Sequence, residues 1–208
     1  MTTQASKDGR QYRPTAERRL EIIEAAIAII AESGLRDLKT KELARRVGIS
    51  EATLFRHFGS MEEIVAAAVE HEAGLVRARV EAFEGSGTPW ERAAQLVDSL
   101  LDFFEETGGG PLVVVTGQVI RISPEVRALA TGTIGLVRQR FSALAAEVAA
   151  MPGGAGVSPE RLADLLVAVV QSNGLRWLIS DRRWPMRASA REMLAIIGRG
   201  LVPAGGPQ

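Results

Sequence analysis

Few side chains in this chain could make or break a bond. There is no cysteine, and the histidines are His57 and His71. Thiolate catalysis and thiolate metal sites are therefore excluded, and a carboxylate-bridged metal centre in a helical bundle would need Glu-x-x-His. Leu54 and Ala68 stand at the acid positions before the two histidines, so that pattern is missing. No Gly-x-Ser-x-Gly elbow, Walker loop or dinucleotide fingerprint occurs, and Gly108-Gly109-Gly110 lacks the Lys-Ser/Thr of a phosphate cradle. We expect no metal, no cofactor and no enzymatic activity, and read the glycine run as a hinge.

What remains is recognition chemistry, and it is concentrated between Ser50 and His57. Arg56 can pair with guanine O6/N7 or a phosphate, and Thr53 can meet a thymine methyl or a phosphate. The backbone N–H groups at Ser50 suit a phosphate, as helix starts do. His57 is a candidate phosphate donor, or else a half-buried structural histidine. Glu51 can accept from a cytosine N4, or simply suit the helix dipole in the first turn.

Two short helices with a tight corner would position these groups. In LKTKELARRVGISEATLFRHF, residues 38–58, Leu43, Ala44 and Val47 form one apolar stripe and Gly48 breaks it. Ser50 is a good N-cap, and Leu54 and Phe58 point inward together, leaving Glu51, Ala52, Thr53, Phe55, Arg56 and His57 nearer the open side. Such a pair is the helix-turn-helix pattern, whose second helix enters the DNA major groove. An ordinary pair of core helices has the same local form.

The flanks are more specific. The Glu24-Ala25-Ala26 core of the first helix, the Ser33-Gly34 exit, Leu43-Ala44, Val47-Gly48-Ile49-Ser50, residues 53–58, Ser60 and Glu62-Glu63 together resemble the N-terminal domain of the TetR family of bacterial transcriptional regulators. The resemblance covers about the first third of the chain. It implies that Thr53, Phe55 and His57 occupy DNA-contacting positions, that the fourth helix is the lever from body to head, that a ligand cavity lies among the central helices, and that the last two long helices form a twofold four-helix interface. Three departures matter: Glu51 stands where a lysine or arginine is common, Phe55 replaces a tyrosine, and Met61 replaces a lysine. Each loses a backbone contact. Lys39 stands where a capping Thr or Ser is frequent, so cap duty would pass to Thr40 while Lys39 supplies a phosphate charge.

Residues 1–60 carry eleven Lys/Arg against eight Asp/Glu, and residues 61–208 carry fourteen against seventeen. A basic head on a slightly acidic body fits a nucleic-acid partner, as does ordinary surface charge. Residues 1–14 form a polar arm with Lys7, Arg10 and Arg13, expected to be disordered. No apolar run approaches the eighteen or so residues that span a bilayer, and the start has no apolar signal core. The expectation is a soluble, cytoplasmic protein without a membrane partner.

The first helix is expected from Thr15 to about Ser33, with Ile23, Ile27 and Ile30 towards the recognition helix. A fourth, capped by Ser60, should run to about Phe83. Thr88-Pro89, Ser123-Pro124 and Ser158-Pro159 each place a cap before a proline at the first helical position. They predict helices over 89–106, 124–150 and 159–180, with shorter ones over 111–121 and 187–201; the run from Leu112 to Val115 could also pass for a strand. The fold class is all-α with about nine helices: an arm over 1–14, a helix-turn-helix head over 15–60 and an effector-binding and dimerisation body over 61–208.

In the body, Phe103 and Phe104 beside Gln118, Arg121 and Gln139 suit an apolar pocket with a few polar anchors, and equally a plain core. Asn173 and Trp177, with Gln171, can line its floor. Leu166, Val170, Gly174, Leu194 and Ile197 are assigned to the dimer interface; a monomer using both faces as core fits the same pattern. The function expected is a dimeric regulator, a repressor in the family's manner, that binds a palindromic operator in double-stranded DNA and is released by a small, largely apolar effector. The alternative is a helical small-molecule-binding or scaffold protein that does not read DNA sequence.

Overall fold

The computed structural model describes residues 15–114, 119–152 and 156–201. The arm expected over 1–14 lies outside them. Nine α-helices follow in order among the described residues: α1 Thr15–Ser33, α2 Thr40–Val47, α3 Glu51–His57, α4 Met61–Glu81, α5 Pro89–Glu106, α6 Gly110–Val114, α7 Pro124–Ala149, α8 Pro159–Ile179 and α9 Met186–Leu201. Short 3-10 turns stand at Leu35–Asp37 and Val119–Arg121. No strand is present among the described residues, and the β-branched run after Pro111 is helical through Val114. The protein is all-α.

The caps explain why the helices begin where they do. Thr88, Ser123 and Ser158 accept from the backbone N–H groups of Glu91, Val126 and Arg161, and each is followed by a proline whose missing N–H has no helical partner to lose. Such a cap contributes about 1 kcal/mol. At Thr88 the exchange is reciprocal, since its own N–H donates to Glu91 Oε2 at 2.7 Å. That bond, with the Thr88 hydroxyl, holds the Glu91 carboxyl below the usual carboxylate range.

Two cores follow from the apolar faces. In the head, Ile22, Ala26, Ile29 and Ile30 of α1 pack with Leu43, Leu54, Phe58 and Ile64. The α1 stripe is therefore centred one residue earlier than Ile23 and Ile27, because α1 is apolar almost all round and its pattern does not select a register. In the body, α5, α7, α8 and α9 enclose Leu96, Leu100, Phe141, Leu144, Leu166 and Met186. Helix α4 belongs to both: Ile64, Val65 and Val69 sit in the head core, Val76 and Val80 in the body core. Val119 and Val126 also pack into the head core, so packing does not stop at residue 60.

Helix α8 corrects one expectation. Averaged over eighteen residues its mean hydropathy reaches 1.3, long and apolar enough to cross a membrane, even counting Asp164 and Arg176. Half of that window is buried inside the protein, and its contacts are with α5, α6, α7 and α9. A central core helix meets the same criterion.

Candidate nucleic-acid interface and effector cavity

The corner before α3 is built by Gly48, which adopts φ 74° and ψ 33° at the end of α2. An L side chain is strained there, and the turn lets Ile49 N–H donate back to Ala44 O at 2.9 Å. Ser50 then caps α3, its Oγ accepting from Thr53 N–H at 3.1 Å and lying 2.9 Å from Thr53 Oγ1. Leu54 and Phe58, at 0% and 1% exposure, anchor the helix to the head core. The opposite face is open: Ser50, Glu51, Ala52, Phe55 and Arg56 are exposed, and Thr53 and His57 are half-buried. Helix α3 thus lies on the outside of the head with its polar and aromatic groups accessible.

Lys39 is the N-cap residue of α2, extended and exposed, with no side-chain cap bond. Thr40 is the first residue of the helix proper, so cap duty does not pass to it. Arg45 and Arg46 are engaged by Glu42 at 2.6 Å and Glu32 at 2.7 Å. Lys39, Lys41 and Arg56, like Arg36 just before α2, have no carboxylate partner among the described residues and are available as cations around α2 and α3. Burial first, then the charges of Arg56, Arg18 and Arg19, pull the His57 pKa below its ordinary value. At neutral pH His57 is a neutral hydrogen-bonding group.

Arg19 is a functional residue that local sequence reasoning missed. From α1 it donates Nη1 to the carbonyl oxygen of His57, and its guanidinium lies 3.9 Å over the Phe58 ring. Nη2 stands 3.4 Å from Glu63 Oε1, and Glu63 Oε2 accepts from Gly59 N–H at 2.6 Å. One side chain therefore ties the end of α3 to the start of α4, with its positive charge at the negative end of α3. The contact spans 38 residues of sequence, and no short-range pattern announces it.

A cavity of about 60 Å³ lies in the body, walled by α4, α5, α6, α7 and α8. Its lining is almost wholly apolar, with Val76, Leu112, Ile134 and Val167 among the walls and Thr133 and Gln171 as the polar groups. Of the expected ligand residues, Phe104 lines it. Phe103 instead packs under the Arg79 guanidinium, 5.8 Å away, since neighbours on a helix point about 100° apart. Trp177 packs against Gly109 and carries the Arg182 guanidinium at 5.6 Å. Asn173 is buried between α8 and α9: it donates to Val169 O at 2.8 Å and accepts from Trp184 Nε1 at 3.2 Å. Gln139 sits in a separate surface groove with Glu81 and Arg140, Arg121 is exposed at the end of its 3-10 turn, and Gln118 lies outside the described residues.

The residues assigned to a dimer interface also need correction. Leu166, Val170 and Leu194 are 0%, 4% and 5% exposed, and a Cβ on Gly174 would meet Leu112 and Phe104 at 2.9–3.0 Å. These face the interior of the protomer, and Ile197 is partly buried against the same core. The apolar residues left outside are Leu165, Leu175 and Ile179 on α8 and Met193 and Ile196 on α9, exposed by 36–72%. Both faces of α8 are apolar, so periodicity alone could not tell the inner one from the outer.

An outward-facing second helix on a three-helix head, carried by a helical body with an apolar cavity, is the architecture of helix-turn-helix DNA-binding regulators. The comparisons agree. Residues 22–68 match the family model of bacterial regulatory proteins, tetR family. Nucleoid occlusion factor SlmA of Haemophilus influenzae is 30% identical over 101 residues, which are 48% of this chain and 46% of that one; the chain spans under half the length of such curated relatives. FadR from Bacillus subtilis, solved in complex with stearoyl-CoA, superposes with a TM-score of 0.69 at 16% identity over 91% of this chain and 99% of that one. A transcriptional regulator from Saccharomonospora viridis, in complex with choline, does so with 0.74 at 21% identity over 88% and 96%. At these identities the two structures speak for the fold. The resemblance to the tetR family thus lies in the helix-turn-helix head, and the likeness of the whole chain to solved regulators is one of fold.

Proposed function

We propose that the chain is a ligand-responsive repressor that binds a palindromic operator as a homodimer and leaves it when a small apolar effector enters the body. One observation carries this: α4 runs unbroken from Met61, next to the recognition helix, to Val76 in the cavity wall. The fifteen residue steps between them correspond to about 22 Å of helix. A displacement at Val76 is transmitted to the base of α3 by a rigid rod whose near end Arg19 clamps.

Within the open face of α3, Thr53, Arg56 and His57 read bases and phosphates, Ser50, Ala52 and Phe55 fit the groove wall, Glu51 sets a cytosine preference, and Lys39 and Thr40 approach the backbone. The apolar outer face of α8 and α9, centred on Leu175, Ile179 and Ile196, is the dimer surface, which would set two recognition helices about one helical turn apart. The effector is acyl-like: Thr133 and Gln171 are the polar groups among the lining residues, and no carboxylate or aromatic cage awaits a cation. The stearoyl-CoA bound by the FadR structure makes long-chain acyl compounds the first panel to test.

The test is a mobility shift on DNA flanking the gene, repeated with acyl-CoA and fatty-acid panels. Sequence-specific retention, lost on addition of an acyl compound that binds the protein, is expected. Retention that persists under a tightly bound acyl ligand would reject the release mechanism; binding without sequence preference would favour a scaffold role.

A further inference from the structure

Glu72 has a buried carboxyl that neither the DNA-reading face nor the body cavity includes. It is 4% exposed in the middle of α4, and its Oε2 has no hydrogen-bond partner among the described residues. The carboxyl fills the place of the absent side chain at Gly110, where a Cβ would fall 2.4 Å from Oε1 and 2.8 Å from Cδ. It lines a cleft of about 320 Å³ separate from the body cavity, bounded by Glu24, Ile27 and Ala31 of α1, by Thr107 after α5 and by Arg182 after α8.

The charged groups facing Glu72 leave it unmatched. On α1, Glu32 is held by Arg46 at 2.7 Å, while Glu24 has no partner among the described residues. On its own helix, His71 lines the same cleft. Arg182 is turned to other work, donating to Gly108 O at 3.0 Å and lying over Trp177. Helix α6 brings no titratable group. No group of three metal-ligating side chains is found among the described residues, so a metal ion is not the natural partner. A buried carboxylate without a donor is costly, and the group that would relieve it is a cation with N–H bonds to give.

We propose that this cleft between head and body binds a small organic ammonium ion: the N–H donates to Glu72 Oε2, Glu24 adds a second negative charge, and the apolar tail lies on Ile27 and Ala31. Quaternary ammonium ions, which have no N–H, fit poorly. The site is separate from the acyl cavity and needs no DNA. Burial pushes the Glu72 carboxyl up to about 7, and only its ionised form attracts the ligand. From pH 8.5 to pH 5.5 the ionised fraction falls about 30-fold, and affinity should fall with it.

The experiment is calorimetric titration of the full chain with n-butylammonium chloride at both pH values, with tetramethylammonium and sodium chlorides as controls. One site per protomer is expected, about 30-fold weaker at pH 5.5 and absent in Glu72→Gln. Arg182→Ala should keep or tighten binding, whereas Gly110→Ala, which crowds the carboxyl, should weaken it. In the unmodified protein, butylammonium should lower the midpoint at which the Glu72 carboxyl carbon titrates by NMR, which keeps the test open if a variant folds badly. Equal binding by wild type and Glu72→Gln, equal binding of tetramethylammonium, or an unmoved Glu72 midpoint at 100 mM butylammonium, where water alone fills the cleft, would overturn the proposal.

Discussion

Replacing Glu72 by Gln should stabilise the unliganded protein, and only above a definite pH. The carboxyl is held at about 7 in the folded chain against an ordinary 4.5, through burial. Below pH 4.5 both folded and unfolded chains carry it protonated, and Glu and Gln differ little. Between 4.5 and 7 the unfolded chain ionises while the folded one does not, so wild-type stability falls as pH rises. Above 7 the folded chain ionises too and the loss is complete, at about 3 kcal/mol for a shift of this size. Glu72→Gln lacks that loss. Urea unfolding of both proteins from pH 4.5 to pH 8.5 should show a gap opening across this window to about 3 kcal/mol. A gap that stays constant with pH, or a wild type more stable than the variant at pH 8.5, would refute the claim that the carboxyl lacks a partner.

Other parts of the structure yield sharper tests of the regulator reading. Arg19→Ala removes the clamp on α3 and α4; being about one-third exposed, it should cost about 1–2 kcal/mol in urea unfolding and weaken DNA binding beyond that loss, and Arg19→Lys should not restore it. Arg56→Ala should weaken specific operator binding by about 1–3 kcal/mol and relax preference at one base position in a binding-site selection. Lys39→Ala should instead weaken binding evenly across sequences and reduce the salt slope of binding by about 2 per dimer, one phosphate for each protomer. Ile179→Glu with Ile196→Glu places charges on the exposed α8–α9 face and should give a monomer by mass measurement in solution, with palindrome preference lost; a surviving dimer would move the interface elsewhere.

The head was legible because its signals are local. Gly48 announces a left-handed turn, Ser50 a cap, and Leu54 with Phe58 an inward pair, and each lies within four residues of what it controls. The proline-capped starts of α5, α7 and α8 are legible for the same reason. Side-chain direction on α8 was not. Leu165 and Leu166 are adjacent and chemically identical, yet one is half exposed and the other fully buried, because the choice depends on which face meets α5 and α7. Asn173 reads as a polar anchor in an apolar helix, but its partner Trp184 comes from the loop before α9. Arg19 and Glu72 were silent in the same way: an arginine and a glutamate on helices are unremarkable until the distant elements that enclose them are placed.

Helix α6 links the two cavities. Leu112 walls the body cavity, and Gly110, two residues earlier, accommodates the Glu72 carboxyl on the head side. The body cavity is about 60 Å³ as it stands, well below the few hundred Å³ of an ordinary ligand pocket, so a long acyl effector would have to expand it. Of its walls, α6 is the one that can yield most cheaply: it has five residues, too few to be stable alone, and follows Gly108 and Gly109 in left-handed turns. On the proposed reading, an effector that pushes Leu112 outward drives Gly110 towards Glu72, and so moves α4 against α1. The buried carboxyl is then the contact through which expansion of the body reaches the head.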